Sequence, residues 1–302
     1  MALSTKAKSL ANAALRPLGA KLDSITAERA ERARLDAHAA RHGFEEPLYA
    51  LSPGMAEFNA QPMIEAARRH EDALARLRDP ARNAVGYTPQ NGFFNPPDAE
   101  ISYLMLRRLE PRRMIEIGSG HSTRIAAMAL RETAAETPER EPARLIAIDP
   151  QPRAEIDGLV DRFERMRLED APLSLFETLE ADDVLFIDSS HELRAGGDVA
   201  QLFCRILPRL APGVVIHVHD VFLPFEYPAA LFYENPLWGE QYALHALLSG
   251  GGYEVLWPGY YVQRTRPELA EALPFLADGP AQSFWMRKRP EDARLGSQEG
   301  GA

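Results

Sequence analysis

Cysteine is nearly absent from this 302-residue chain, with Cys204 standing alone, so no intrachain disulfide can form. Set in an apolar helical pattern, Cys204 reads as a buried, inert thiol, which fits a reducing cytoplasm. A basic surplus is missing too. The formal net charge is -10, and an acidic surface repels phosphate, which excludes a general polyanion binder and makes nucleic acid an unexpected partner. No apolar run approaches the roughly 20 residues of a membrane-spanning helix, so the chain is not expected to cross a bilayer. There is no internal repeat. The opening "MALSTKAKSLANAALRPLGAKL" carries Lys6, Lys8, Arg16 and Lys21 with no acid before Asp23, yet lacks the uninterrupted apolar stretch of a secretory signal. Residues 1–22 read either as a loose amphipathic helix touching anionic lipid at the inner face of the membrane or as a solvated helix or frayed terminus.

What the chain does have is ordinary globular material: 45% hydrophobic and 26% charged residues, enough for a sizeable core. Its length suggests one α/β domain with an appendage. The expected division is a helical extension over 1–90, a main domain over 91–290 and a disordered tail over 291–302. Within the extension, "SITAERAERARLDAHAAR" is too poor in apolar residues for a wide core stripe and reads as an exposed helix. "QPMIEAARRHEDALARLRDP" places Met63, Ala66, Ala67, His70, Leu74 and Leu77 at helical spacing and stops at Pro80, so this helix packs on something. "VGYTPQNGFFNPPDAE" gathers Pro, Gly, Asn and aromatics and reads as an ordered loop.

From there the pattern alternates. "AEISYLMLRRL" is helical, "RMIEIG" a strand, "STRIAAMALRETA" helical and "ARLIAID" a strand. "FERMRL" follows as a strand, "LSLFETL" as a helix, "DVLFID" as a strand, "DVAQLFCRILPRL" as a helix and "GVVIHVHD" as a strand. Strands apolar throughout and separated by helices mark a parallel sheet covered on both faces. "EQYALHALLSGGG" adds a helix, with "YEVLW" and "SFWMRKR" as further strands. The expected fold is a doubly wound, mostly parallel seven-stranded Rossmann-like sheet with a helical N-terminal extension.

"MIEIGSGHST" raises the functional question, because Glu116 interrupts an apolar run and Gly118 and Gly120 follow at once. In a doubly wound sheet the ligand lies where the first strand turns into the first helix, and glycine there lets backbone approach it. Glu116 would carry a negative charge into that crevice. A dinucleotide fingerprint needs a small residue where Thr123 stands and does not want a carboxylate beside a pyrophosphate. A cationic or hydroxyl-rich ligand is favoured, and S-adenosylmethionine offers a sulfonium, an amino group and no phosphate.

At this point "IEIGSGHS" resembles motif I of class I S-adenosylmethionine-dependent methyltransferases. "FIDSSHE" with "HVHDVFLPFEYP" is similar to one subgroup often found near genes for sugar and glycan assembly. The resemblance runs from about Asn91 to Lys288. It implies that Glu116, Gly118, Gly120 and Ser122 hold the methionine end, that Asp149 accepts the ribose hydroxyls, and that Asp170 and Ala171 meet the adenine. The bland readings are a turn or helix-cap carboxylate for Asp149 and a solvated turn acid for Asp170.

Candidate catalytic groups lie at the strand ends: Asp188 and His191 after the fourth strand, His219 and Asp220 after the fifth. Two mechanisms are open. Asp188, His219 and Asp220 would bind a divalent cation such as Mg, as carboxylate-rich sites do in the similar catechol-type enzymes, or His191 or His219 would act as general base without metal. His191 reads equally as a loop-surface residue, and His217 as a satisfied core histidine. Phe222, Phe225, Tyr227, Phe232, Tyr233 and Trp238 would line an acceptor pocket, with "NGFFNPPD" closing it, or would plug the sheet edge. The expected activity is O-methylation of a small-molecule or glycan acceptor. A nicotinamide-dependent oxidoreductase and a catalytically silent docking scaffold are the alternatives. The sequence does not set the oligomeric state.

Overall fold

The computed structural model describes residues 5–21 and 25–290. The chain forms two compact units, residues 1–46 and 47–302. In the first, helix α1 (Thr5–Leu15) is followed by a short turn and α2 (Thr26–His42). Leu10, Leu18 and Ile25 are exposed there and only Leu35 of α2 is buried, as the thin apolar pattern led one to expect. No helix among the described residues is long and apolar enough to cross a membrane. The proposed tail, 291–302, lies outside the described residues, as do Met1 to Ser4 and Leu22 to Ser24.

The second unit begins far ahead of residue 91. Helices α3 (Gln61–Arg69) and α4 (Glu71–Leu77) bury Met63, Ala66, Ala67, Ala73, Leu74 and Leu77. These side chains join one core cluster with α5 (Asp98–Leu109) and with residues of the sheet. The helices expected to form an extension are thus part of the main domain, because their apolar stripe is buried in the same core cluster as α5.

The sheet contains β1 (Arg113–Ile117), β2 (Arg144–Ile148), β3 (Arg162–Glu164), β4 (Val184–Ile187), β5 (Val215–Val218), β6 (Tyr253–Pro258) and β7 (Phe284–Lys288). Their order is β3-β2-β1-β4-β5-β7-β6, with β7 antiparallel to both neighbours. Crossover connections through α6 (His121–Glu136), α7 (Leu173–Phe176) and α8 (Asp198–Gln201) make the rest parallel. This is the doubly wound seven-stranded sheet expected from the alternation. Period-two side chains divide the core. Met114, Leu145, Val184, Phe186 and Val215 face α5 and α6, while Ile115, Ile117, Ile146, Ile148, Leu185, Ile187 and Ile216 face the other layer.

Cys204 is exposed, contrary to the buried thiol expected. Beyond α8 the helix widens to a π-wound stretch at Leu202–Ile206, which keeps Leu202 and Ile206 inside and turns Cys204 to solvent.

Leu77 is fully buried between α4 and the main core, so Leu77→Ala should cost about 2–5 kcal/mol in urea unfolding of the full-length chain. A loss below about 0.5 kcal/mol would show that α4 does not belong to this core.

Candidate active site

The strand order reverses between β1 and β4, which places a crevice at their carboxyl ends. A cavity of about 1250 Å³ opens there. Its wall is built from the ends of β1 (Ile117 to Ser122), β2 (Ile148 to Arg153) and β4 (Asp188 to Glu192), with His219 and Asp220 after β5. The Gly92 to Asn95 loop closes one side, and Leu231, Asn235 and Trp238 another.

Gly118 makes the crevice possible. Its φ is +76°, and a Cβ there would lie 2.0 Å from the Asp188 carbonyl oxygen, so no side chain fits. The Asp188 amide donates to the Ile117 carbonyl at 2.9 Å, and the Gly118 amide to Ile148 at 3.1 Å. Gly120, at φ +152°, is less tightly enclosed: a Cβ there would lie 3.0 Å from Arg153 Cβ and 3.2 Å from the Ala154 amide nitrogen.

Glu116 does not point into the crevice. It is fully buried under the start of α6, where Oε1 accepts the Ser122 hydroxyl and Oε2 the Thr123 hydroxyl, both at 2.6 Å. Thr123 Oγ1 in turn accepts the Gly120 amide at 2.9 Å, so the β-branched residue serves as a bridge rather than an obstacle. Burial pushes the Glu116 carboxyl up to about 8, against the pull of its two hydroxyl bonds, and the group is neutral at pH 7. The expected negative charge is therefore a neutral clasp on the glycine turn.

Asp149 does line the cavity, although its oxygens are partly committed. Oδ2 accepts the Ser119 amide at 2.6 Å and the Ser119 hydroxyl at 3.1 Å, while Oδ1 accepts the Gln151 amide at 2.7 Å. Each carboxylate oxygen has two lone pairs, which leaves acceptor capacity on Oδ1.

On the far wall, Asp188, His191 and Asp220 offer ligand atoms within 4.8 Å of one another. His191 Nε2 lies 3.3 Å from both Asp188 Oδ1 and Asp220 Oδ2. Nδ1 lies 2.8 Å from Glu240 Oε2. His191 is buried, not a loop-surface residue, because its backbone turns left-handed (φ 60°) and Glu240 draws the ring inward. Burial works against its charge, but the hydrogen bonds to Asp188 and Glu240 outweigh it and raise its pKa well above the usual value. The Asp188 carboxyl is lowered, burial being overcome mainly by its bond to His191.

His219 lines the same cavity and its charge acts on Asp188, but it is not one of these three ligand groups. Its ring lies 5.0 Å from that of Phe94 on the cavity wall, so His191 takes the place expected for it beside the two aspartates. His217 is a core residue, its ring 4.3 Å from Phe186 and 4.5 Å from Trp285. Burial depresses its pKa well below the usual range, and neither ring nitrogen finds a hydrogen bond, so it is buried but not satisfied.

Residues 115–221, which span the glycine turn and both strand ends of the cluster, match the family described as a methyltransferase domain. Over that stretch the chain is similar to a methyltransferase domain. No curated protein matches the chain. Among solved structures, an O-methyltransferase from Bacillus cereus in complex with SAH is similar at a TM-score of 0.39 and 16% identity, over 77% of this chain and 92% of that one. MycE methyltransferase from the mycinamycin biosynthetic pathway, in complex with Mg and SAH, gives 0.36 and 17% over 80% of this chain and 63% of its own. Both likenesses are loose.

Within the matched stretch, Asp170 and Ala171 do not reach the cavity. A tight turn at Leu168–Asp170 presents Arg167, Leu168 and Glu169 instead, while Asp170 faces solvent and Ala171 packs on the second core cluster. Of the six aromatics after β5, only Trp238 lines the cavity; Phe222, Phe225, Tyr227 and Phe232 are buried packing. Sequence reasoning missed Glu240, whose position at the start of a helix reads as an ordinary N-terminal acid.

The clasp can be tested by pH. The folded pKa of Glu116 lies above its ordinary 4.5, so the stability it contributes is complete below pH 4.5 and is lost as pH rises through about 8. Relative to Glu116→Gln, the wild type should lose about 1.4 kcal/mol per pH unit between these limits in denaturant unfolding. Parallel curves for the two proteins would rule out a neutral carboxyl.

Proposed function

We propose that the protein is an S-adenosylmethionine-dependent O-methyltransferase acting on a small hydroxyl-bearing acceptor, a sugar, a glycan or a related metabolite. One observation carries this reading. A single cavity of a methyltransferase domain has a glycine turn and the acid ending β2 on one wall and a carboxylate–imidazole cluster on the other. The Gly118–Ser119 backbone, which lines the cavity, suits the methionine end, and the remaining lone pair of Asp149 suits a ribose hydroxyl.

The cavity exceeds what one drug-sized ligand fills, roughly 300–1,000 Å³, which leaves room for an acceptor beside the cofactor. Phe93, Phe94 and Trp238 with Asn95, Asn235 and Gln282 offer ring faces and hydrogen bonds, a mixture suited to a hydroxylated ring. The acceptor oxygen attacks the methyl carbon, the carbon–sulfur bond breaks with its electrons going to sulfur, and the hydroxyl proton must leave.

The donor set of Asp188, His191 and Asp220 fits a divalent cation, with His191 ligating as the neutral imidazole once the cation has displaced its Nε2 proton. Such an ion would make a bound hydroxyl more acidic. Without a cation the carboxylates favour protonated His191, and with one it would be a ligand, so His219, on the same wall, is the imidazole left to take the acceptor's proton. The acidic cavity weighs against a nucleic-acid acceptor.

Titration calorimetry with S-adenosylhomocysteine should show one site per chain, and Asp149→Ala should weaken it at least about tenfold, equivalent to about 1.4 kcal/mol. No heat from the wild type, or saturation by reduced nicotinamide cofactor instead, would overturn this reading.

A further inference from the structure

Glu240 is the least expected member of the cluster. It opens helix α9 (Glu240–Ser249), and it is 1% exposed. Besides its 2.8 Å contact with His191 Nδ1, Oε1 accepts the Ser189 hydroxyl at 3.1 Å. The same segment grips the histidine by its backbone, because the amides of Gly239 and Glu240 donate to the His191 carbonyl at 2.8 and 3.2 Å. Trp238 lays its ring 4.4 Å from the imidazole. Three consecutive residues, Trp238 to Glu240, thus hold one side chain and its peptide.

The chemistry follows from what each atom can do. Burial raises the Glu240 carboxyl and its bonds to His191 and Ser189 oppose this; ionised, it only accepts and so keeps a hydrogen on Nδ1, while Nε2 also carries one until a cation or a base removes it and leaves the lone pair there. Nε2 faces Asp188 Oδ1 and Asp220 Oδ2 at 3.3 Å each. An outer carboxylate on the far nitrogen is how ligand histidines are commonly oriented and made more basic.

We propose that Glu240 is a positioning residue that holds the hydrogen of His191 on Nδ1 and thereby presents the Nε2 lone pair to the space between Asp188 and Asp220. This rests on the reading that those three residues hold a divalent cation. The left-handed backbone at His191 is consistent with it, since a β-substituted residue is kept there where glycine would fit more easily.

The test uses the full-length protein and two measurements. Mn²⁺ binding is followed by calorimetry for the wild type, Glu240→Gln, Glu240→Asp and Asp188→Asn, with thermal melts as a folding control. The His191 tautomer is read in metal-free protein by ¹⁵N–¹H long-range correlation, at a pH where the imidazole is neutral. The wild type should carry hydrogen on Nδ1. Glu240→Gln, whose amide can donate as well as accept, should mix the tautomers and weaken Mn²⁺ binding 10- to 100-fold, with partial recovery in Glu240→Asp. Hydrogen on Nε2 in the wild type, as a protonated Glu240 donating to Nδ1 would produce, would overturn the proposal. An unchanged tautomer in Glu240→Gln together with unchanged Mn²⁺ affinity would do the same. If the wild type takes up no Mn²⁺, the cation reading falls, and the tautomer measurement decides the role of Glu240 on its own.

Discussion

The close approach of two backbones, at Gly118 and Asp188, is the constraint on which the site depends. Parallel pairing of β1 with β4 brings the strand ends side by side, and the Asp188 amide continues that pairing to Ile117. With no Cβ at Gly118, the turn after β1 can fold directly over the Asp188 carbonyl. The glycine turn and the acidic cluster therefore share one cavity instead of occupying separate ones. A doubly wound sheet creates the crevice in general terms, but this contact sets how near its two halves come.

Electrostatics divides the buried acids into two kinds. Glu116 sits among hydroxyls and apolar side chains with no cation beside it, so the fold keeps it neutral and uses it to clasp the turn. Asp188 has an imidazole within hydrogen-bonding reach and stays ionised. Local backbone energy supports the second arrangement, since His191 and Asp220 both adopt left-handed conformations, at φ 60° and 56°. Such residues cost about 1–3 kcal/mol each and persist where surrounding contacts over-determine them, here Glu240 for His191 and Gln282, which donates to Asp220 Oδ1.

Much of the fold was legible because its signals are local. Short apolar strands separated by helical periods reveal a parallel sheet without knowledge of neighbours, and the glycines of "IEIGSGHS" mark the turn because backbone geometry demands them there. The misreadings share a different cause. The α3–α4 stripe looked like an appendage since its partner, α5, lies beyond a loop rich in proline and glycine. Cys204 looked buried because an ideal α-helical period was assumed where the winding widens. Asp170 was offset from the cavity by a single tight turn that presents the residues just before it.

By itself, then, the sequence determined the layered α/β architecture and the place of the glycine turn after the first strand, since periodicity and glycine freedom act over a few residues. Only the tertiary structure decided which acids are charged, that His191 and not His219 joins the aspartates, and that Glu240 stands behind it. Charge state and convergence depend on what groups from distant segments surround a side chain once water has been excluded, and no local pattern encodes that neighbourhood.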